Sequence, residues 1–315
     1  MKVAVLAGGV GAARLLRGMV RVVDPTDVTA IVNVADDDVL HGLYISPDID
    51  TVTYTVAEEI DPHRGWGLAD ESWRAMEAFR RISVASNRPD IGWFNLGDRD
   101  LGTHLYRTTR LGEGATLSEV TREITAAFGL GMTVLPVTDD RVATRLLSTS
   151  GETLSFQEYF VRDRHDVAVR SVEFAGVAAA VPAPRVRERI DGASTVVIAP
   201  SNPIVSIGPV LATPGIRAAM VRRRDRCVAI SPIVGGKALK GPADRLLAEL
   251  GHDVSVVGVA RIYRDVASVL VIDEIDADHF NAVEAEGVRC VVAQTIMSDV
   301  TAAADLADVV LGAFR

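Results

Sequence analysis

Residues 1–19, MKVAVLAGGVGAARLLRGM, decide how the rest of this 315-residue chain is read. Val3 and Val5 alternate with Ala4 and Leu6 as in a buried strand, and residues 12–19 carry apolar side chains at helical spacing. Gly8, Gly9 and Gly11 therefore stand in a strand-to-helix turn. Free backbone N–H groups at the start of a helix, with the positive end of its dipole, favour an anion, most often a phosphate. The three glycines are accordingly candidate phosphate-binding positions, with Arg14 and Arg17 close behind. The spacing lacks the third glycine of a dinucleotide fingerprint, and no Gly-Lys-Ser/Thr follows. A tight turn without a ligand stays open as the alternative.

Outward from this unit, strand-like and helix-like runs alternate. "VTAIVNVA" and "MTVLPV" read as strands, with helices expected over 51–59 and 69–82. Past residue 193 the strand-like runs are "TVVIAP", "CVAISP", "VSVVGVA", "SVLVIDEID" and "RCVVAQT", with a helix over 242–250. Runs apolar on both faces belong to parallel strands covered by helices. The expected fold is α/β, a Rossmann-like three-layer arrangement around a mostly parallel sheet, in one domain spanning 1–315. Shorter alternating runs, "TLSFQEYF" and "DVAVRSVEF", predict a small β-rich excursion at about 142–177. The segment "VPAPRVRERI" reads as a linker entering a helix.

The net charge of −9 comes without a basic stripe interleaved with aromatics, which argues against a nucleic-acid surface. Cys227 and Cys290 lie in apolar runs without ligand spacing, as buried thiols of a reducing compartment do. No charged and apolar leader opens the chain, and no apolar run reaches about 18 residues. A cytoplasmic protein without a membrane span is expected, and a homodimer by base rate.

Ligands of open parallel sheets bind beyond the carboxyl ends of the strands, and four such places stand out. The glycine turn is one. The second is "NVADDDVLHGLYISPDIDTVTY", where Asp36, Asp37, Asp38, Asp48 and Asp50 crowd together after Asn33. Carboxylates this close repel unless a cation or proton intervenes, and hard oxygen ligands suit Mg²⁺. The third, "WFNLGDRDLGTH", presents Asp98, Arg99, Asp100 and His104 after Trp93, in a turn fit for a polar substrate or merely for capping a helix. The fourth pairs "IAPSNPIVSIGPV" with "ISPIVGGKALKGP". Ser201, Asn202 and Ser206 are candidates for a base or phosphate, and Gly235, Gly236, Lys237 and Lys240 for phosphate charge.

Together, "GGVGAARLLRG", "VNVADDD", "ISPDIDTVTY", "NLGDRDLGTH", "LPVTDDRVATRL" and "PSNPIVSIGPVL" resemble the 2-phospho-L-lactate transferase family of deazaflavin coenzyme (coenzyme F-420) biosynthesis, over essentially the whole chain. The resemblance implies transfer of a phospholactyl or phosphoenolpyruvyl group from a guanosine diphosphate conjugate to 7,8-didemethyl-8-hydroxy-5-deazariboflavin, releasing GMP with Mg²⁺. The family's deazaflavin-binding positions correspond to Asp50 and Asn95. On that reading Asp48 or Asp50, with Asp36, holds Mg²⁺, and Asp50 is the candidate catalytic residue. The glycine turn and Lys237 or Lys240 hold phosphate oxygens, and Asp50, Asn95, Asp98 and Trp93 face the acceptor, with Trp66 a second ring on which it can lie.

Two alternatives remain. An NAD(P)-dependent oxidoreductase would place Asp36, about twenty residues past the glycines, on a ribose hydroxyl. A nucleotide-sugar-binding regulatory protein of the same superfamily would need the glycine turn but not the carboxylates. Its "VADDG" segment has glycine where this chain has Asp38.

Overall fold

The computed structural model describes residues 1–314. Its centre is a sheet of seven strands: β1 (Val3–Ala7), β2 (Val28–Val32), β3 (Thr133–Pro136), β4 (Thr195–Ile198), β5 (Cys227–Ile230), β6 (Val269–Asp273) and β7 (Arg289–Ala293). They lie in the order β7-β6-β5-β4-β1-β2-β3, every neighbouring pair parallel. Val5 sits between Ala30 on one side and Val197 on the other. All five residues of β1 are buried, which is why its sequence is apolar on both faces.

The longer helices are α1 (Gly9–Val22), α2 (Pro47–Val56), α3 (Arg74–Ala85), α4 (Asp98–Gly112), α5 (Leu117–Ala127), α6 (Val256–Tyr263) and α7 (Val300–Gly312). Helices cover both faces of the sheet, and α1 packs between α2 and α7. Gly18 lets α7 close on α1: a Cβ there would stand 2.3 Å from the Ala303 carbonyl carbon. Strand order reverses between β1 and β4, so their carboxyl ends open the crevice where ligands of such sheets bind.

Two detours leave the sheet. Between β2 and β3 the chain forms an antiparallel hairpin, Asp38–Leu40 with Leu43–Ile45, and helices α2 to α5. Ile45, Met76, Phe94 and Leu96 give this region a small core of its own. Between β3 and β4, Ala143–Ser148 pairs antiparallel with Thr153–Ser155 and Val169–Ala175. Leu146, Leu154 and Tyr159 tie this three-stranded sheet to Val205 and Leu246 of the main body.

Three elements differ from expectation. The helix expected over 51–59 is α2, which starts at Pro47, a residue suited to the first helical position; Asp48 and Asp50 thus lie inside its first turn. The helix expected over 69–82 is α3, which starts later, at Arg74, where the carboxylate of Asp98 accepts from the Arg74 and Ala75 N–H groups. The run "VSVVGVA" is not a strand but the start of α6, capped by the Ser255 hydroxyl, which accepts from Gly258 N. A short run buried all round has the same pattern in either state.

Candidate active site

The crevice floor is the glycine turn. Gly9 has φ +68°, in the left-handed region that glycine adopts freely. The other two glycines answer close approach. A Cβ on Gly8 would stand 2.7 Å from Ser206 Cβ and 2.9 Å from an Asp48 oxygen, and one on Gly11 2.2 Å from the Pro200 carbonyl oxygen. Ser201 Oγ donates to the Gly8 carbonyl at 2.7 Å and accepts from the Gly8 N–H at 3.3 Å. The loops leaving β1 and β4 are thereby stitched together where strand order reverses. Asn202 closes its own turn, its side-chain oxygen accepting from Ile204 N at 2.9 Å and Val205 N at 3.4 Å. Of the three residues read as a nucleotide loop, Ser201 and Ser206 reach the glycine turn, while the Asn202 oxygen is engaged locally.

Beside the floor lie buried carboxylates. Asn33 follows β2, and its Nδ2 donates to Asp36 Oδ2 and to Asp48 Oδ2, each at 3.0 Å. Asp36 is 4 % exposed and Asp48 8 %, and the second Asp36 oxygen is buried with no protein partner. Burial, then the charge of Asp48, pushes the Asp36 carboxyl well above its ordinary range. Burial likewise raises Asp48 to about 6, against the pull of Asn33 and the Gly9 N–H. Asp37 is also buried and raised by desolvation; it accepts from Ser46 Oγ at 2.8 Å and leaves one oxygen unpartnered.

Asp50 belongs elsewhere. Residues two apart on a helix point to different sides, so the expectation that Asp50 joins Asp36 and Asp48 as a metal ligand does not fit the geometry. Its carboxylate is gripped by both Nη atoms of Arg107 on α4, the Nη1 bond being 3.1 Å. Arg107 is fully buried, and its Nη1 also donates to His104 Nδ1 at 3.2 Å. His104 Nε2 lies 3.3 Å from Asp100 Oδ1, which accepts from Tyr54 Oη at 2.7 Å. Because guanidinium only donates, His104 accepts at Nδ1, which leaves its hydrogen on Nε2. Burial works to raise Asp100, but bonds from His104 and Tyr54 and the Arg107 charge outweigh it and leave the carboxyl low. Burial opposes the Arg107 charge, yet Asp50 outweighs it and keeps the guanidinium ionised.

The remaining candidates are dispersed. Asp98 accepts from Ser72 Oγ and from Arg74 N and Ala75 N, so its carboxylate caps α3. Asn95 Oδ1 accepts from Arg80 at 2.5 Å. Trp93 packs edge-on to Phe94 in the hydrophobic cluster under the hairpin. Trp66, 44 % exposed, meets Trp73 edge-on, and Arg64 lies over both rings. The Gly235 and Gly236 pair, with φ +58° and +75°, forms the two-residue turn of a small hairpin that pairs Val234 with Lys237, so these glycines serve the hairpin. Lys237 is exposed there. Sequence reading overlooked Arg107, Tyr54 and the bridging role of Asn33. A signal for the first was present: Asp100, Thr103, His104 and Arg107 share one face of α4, and all four are buried.

Among the described residues no three His, Cys, Asp or Glu side chains are gathered to hold a metal, and no helix is long and apolar enough to cross a membrane. Residues 3–306 match the family model described as 2-phospho-L-lactate transferase CofD. A phosphoenolpyruvate transferase of Streptomyces griseus is 42 % identical over 311 residues, covering 98 % of this chain and 96 % of its own. One of Mycobacterium bovis is 39 % identical over 327 residues, covering 97 % and 96 %. Among solved structures, a UPF0052-family protein of Bacillus halodurans superposes with a TM-score of 0.64 at 18 % identity over 98 % of each chain, a likeness of fold. The chain, with its glycine turn and buried carboxylates at the reversal point of the sheet, is a transferase and belongs to the 2-phospho-L-lactate transferase CofD family.

Proposed function

We propose that the protein transfers a three-carbon phosphoacid group from a guanosine diphosphate conjugate to 7,8-didemethyl-8-hydroxy-5-deazariboflavin and releases GMP. The names of the relatives that are 42 % and 40 % identical favour phosphoenolpyruvyl over 2-phospholactyl as the group moved. The observation that carries the reading is the meeting of an anion-accepting helix start with buried, incompletely bonded carboxylates, in a chain that matches the family over 3–306.

Phosphoryl transfer asks a protein for alignment and charge neutralisation more than for covalent chemistry. The acceptor's terminal ribityl hydroxyl would attack the phosphorus bearing the three-carbon acid, with GMP leaving. Mg²⁺ fits the pair Asp36 and Asp48, because this ion is commonly held by one or two carboxylates together with substrate phosphates, and the orphaned Asp36 oxygen supplies a free donor. Bound there, the ion would neutralise diphosphate charge. Asn33 fixes both carboxylates, and the start of α1 would receive phosphate oxygens once they replace Ser201 Oγ on the Gly8 N–H and Asp48 on the Gly9 N–H. Asp50, held on both oxygens by Arg107, serves as a fixed acceptor that orients the deazaflavin hydroxyl, and Asn95 is kept as a second acceptor-binding residue on the family resemblance alone.

The test is product analysis by mass spectrometry with the deazaflavin and either guanosine diphosphate conjugate, with and without EDTA. The reading expects a deazaflavin phosphodiester and GMP, faster from the enolpyruvyl donor and abolished by chelation. Unchanged transfer in excess EDTA removes the metal, and no product from either donor removes the reaction.

A further inference from the structure

The second detour reaches back into the crevice through a buried amide. Gln157, 3 % exposed, donates from Nε2 to the Asp36 carbonyl at 2.9 Å, across 121 residues of chain. A carbonyl only accepts, so the nitrogen of the Gln157 amide is the atom that faces it. Among the described residues no other hydrogen bond reaches that carbonyl. The bond completes a set of clamps on the turn that follows β2. Asn33 Oδ1 accepts from Ala35 N at 2.9 Å, the Ala35 carbonyl accepts from Thr144 N at 2.6 Å, and Asp37 N donates to the Val34 carbonyl at 3.2 Å. Thr144 lies on the first strand of the second detour and Gln157 just beyond its second strand, so two of the four clamps come from outside the central sheet.

Local structure aims the Gln157 side chain. Residues Glu158–Arg162 form a single π-helical turn, a rare element that recurs at functional sites. Within it Tyr159 is fully buried in the small core with Leu146 and Leu154, and Phe156 stacks on Phe160 with ring centroids 5.4 Å apart and planes 9° from parallel. Phe156 and Thr144 line a narrow cleft together with Asp36 and Asp37. The same small core includes Val205, whose carbonyl accepts from Asn33 Nδ2 at 3.4 Å. Asn33 holds one oxygen of the Asp36 carboxylate and leaves the other without a protein partner. Where that free oxygen points follows from where the backbone of residues 35 and 36 stands, and Thr144 and Gln157 hold that backbone.

We propose that Gln157 is a positioning residue, and the second detour a brace, that keeps the free Asp36 oxygen where the charge of the bound donor is neutralised. The proposal rests on the Mg²⁺ reading given above and adds the group that fixes its carboxylate from behind. Partners that orient a metal-holding carboxylate in this way are typically worth 10–100-fold in metal affinity or activity.

The test is calorimetric titration of Mg²⁺ into the GDP-saturated protein, together with donor and acceptor kinetics, for the wild type, Gln157→Met and Gln157→Asn. Urea unfolding checks that each variant is folded. Gln157→Met keeps the length of the side chain and loses the donor; it should bind Mg²⁺ about tenfold or more weakly and raise the donor KM, with the acceptor KM unchanged. Gln157→Asn keeps the amide but stops one methylene short of the carbonyl, should show the same split, and carries the test if the methionine variant does not fold. Wild-type Mg²⁺ affinity and donor KM in a folded variant overturn the positioning role and leave the metal reading standing. Equal rises in donor and acceptor KM also overturn it, because they report general damage to the fold. A wild-type protein that binds no Mg²⁺ overturns the metal reading, and the brace with it.

Discussion

Asp48 and Asp50 stand two residues apart in the first turn of α2, both buried, in opposite electrostatic surroundings. Asp50 meets a buried guanidinium on both oxygens, and Arg107 also donates to His104, which lies beside the bonded pair Asp100 and Tyr54. Asp48 has an amide shared with another carboxylate and one backbone N–H. Burial raises both carboxyls, but the Arg107 charge pulls Asp50 back down, whereas Asp48 has only neutral donors beside it and gains more when a cation arrives. The difference separates a carboxylate locked between two helices from one held only by neutral donors.

The sharpest way to break this comparison is Arg107→Met. It leaves Asp50 as an uncompensated buried charge and should lower stability by about 3–5 kcal/mol in urea unfolding, with most of the loss recovered in Arg107→Met/Asp50→Leu. Acceptor binding should not recover. A single variant as stable as wild type would show that the pair is not the lock described.

Asp48→Asn should do the reverse. A carboxyl raised from 3.8 to about 6 by folding favours the protonated native state. Its contribution to stability is complete below about pH 4, falls as pH rises through about 4–6, and is flat above. In metal-free protein at pH 7 the substitution should therefore stabilise by on the order of 2–3 kcal/mol and flatten that part of the pH profile. Added Mg²⁺ should stabilise the wild type and leave Asp48→Asn nearly unmoved, which thermal melts at pH 5 and pH 7 will show.

Two smaller effects mark the border between the halves. Gly11→Ala drives a methyl into the Pro200 carbonyl and should cost about 1–3 kcal/mol. Ser201→Ala cuts the stitch to Gly8 and should cost about 1 kcal/mol, read as a shift in unfolding midpoint at constant slope.

The parts of this molecule legible from sequence are those governed by local pattern. β1 with its glycine turn, six of the later strand-like runs and the acidic stretch after Asn33 all declare themselves through short apolar runs or through crowded like charge. The run 254–260 was misread because an apolar helix start and an apolar strand look alike over seven residues. The pairing of Asp50 with Arg107 was hidden for another reason. The partners are separated by 57 residues, and although Arg107 shares a face of α4 with Asp100, Thr103 and His104, that spacing does not name Asp50 as its partner, while Arg110 pairs with Glu113 and Glu123. Spacing on a helix separates Asp48 from Asp50, but only tertiary packing says which of them meets Arg107 and which Asn33.

The order of strands also has a consequence for synthesis. β1 is the first strand made, yet one of its two neighbours, β4, begins at Thr195, after both detours. Until then β1 carries an open row of backbone donors and acceptors along one side, in a strand whose five residues are all apolar. The nascent chain must keep that edge from other chains while more than half its length is still emerging, and long-range parallel pairing is slow to form. A fragment ending before residue 195 should accordingly aggregate, and a separately supplied C-terminal piece carrying β4 should bring it back into solution.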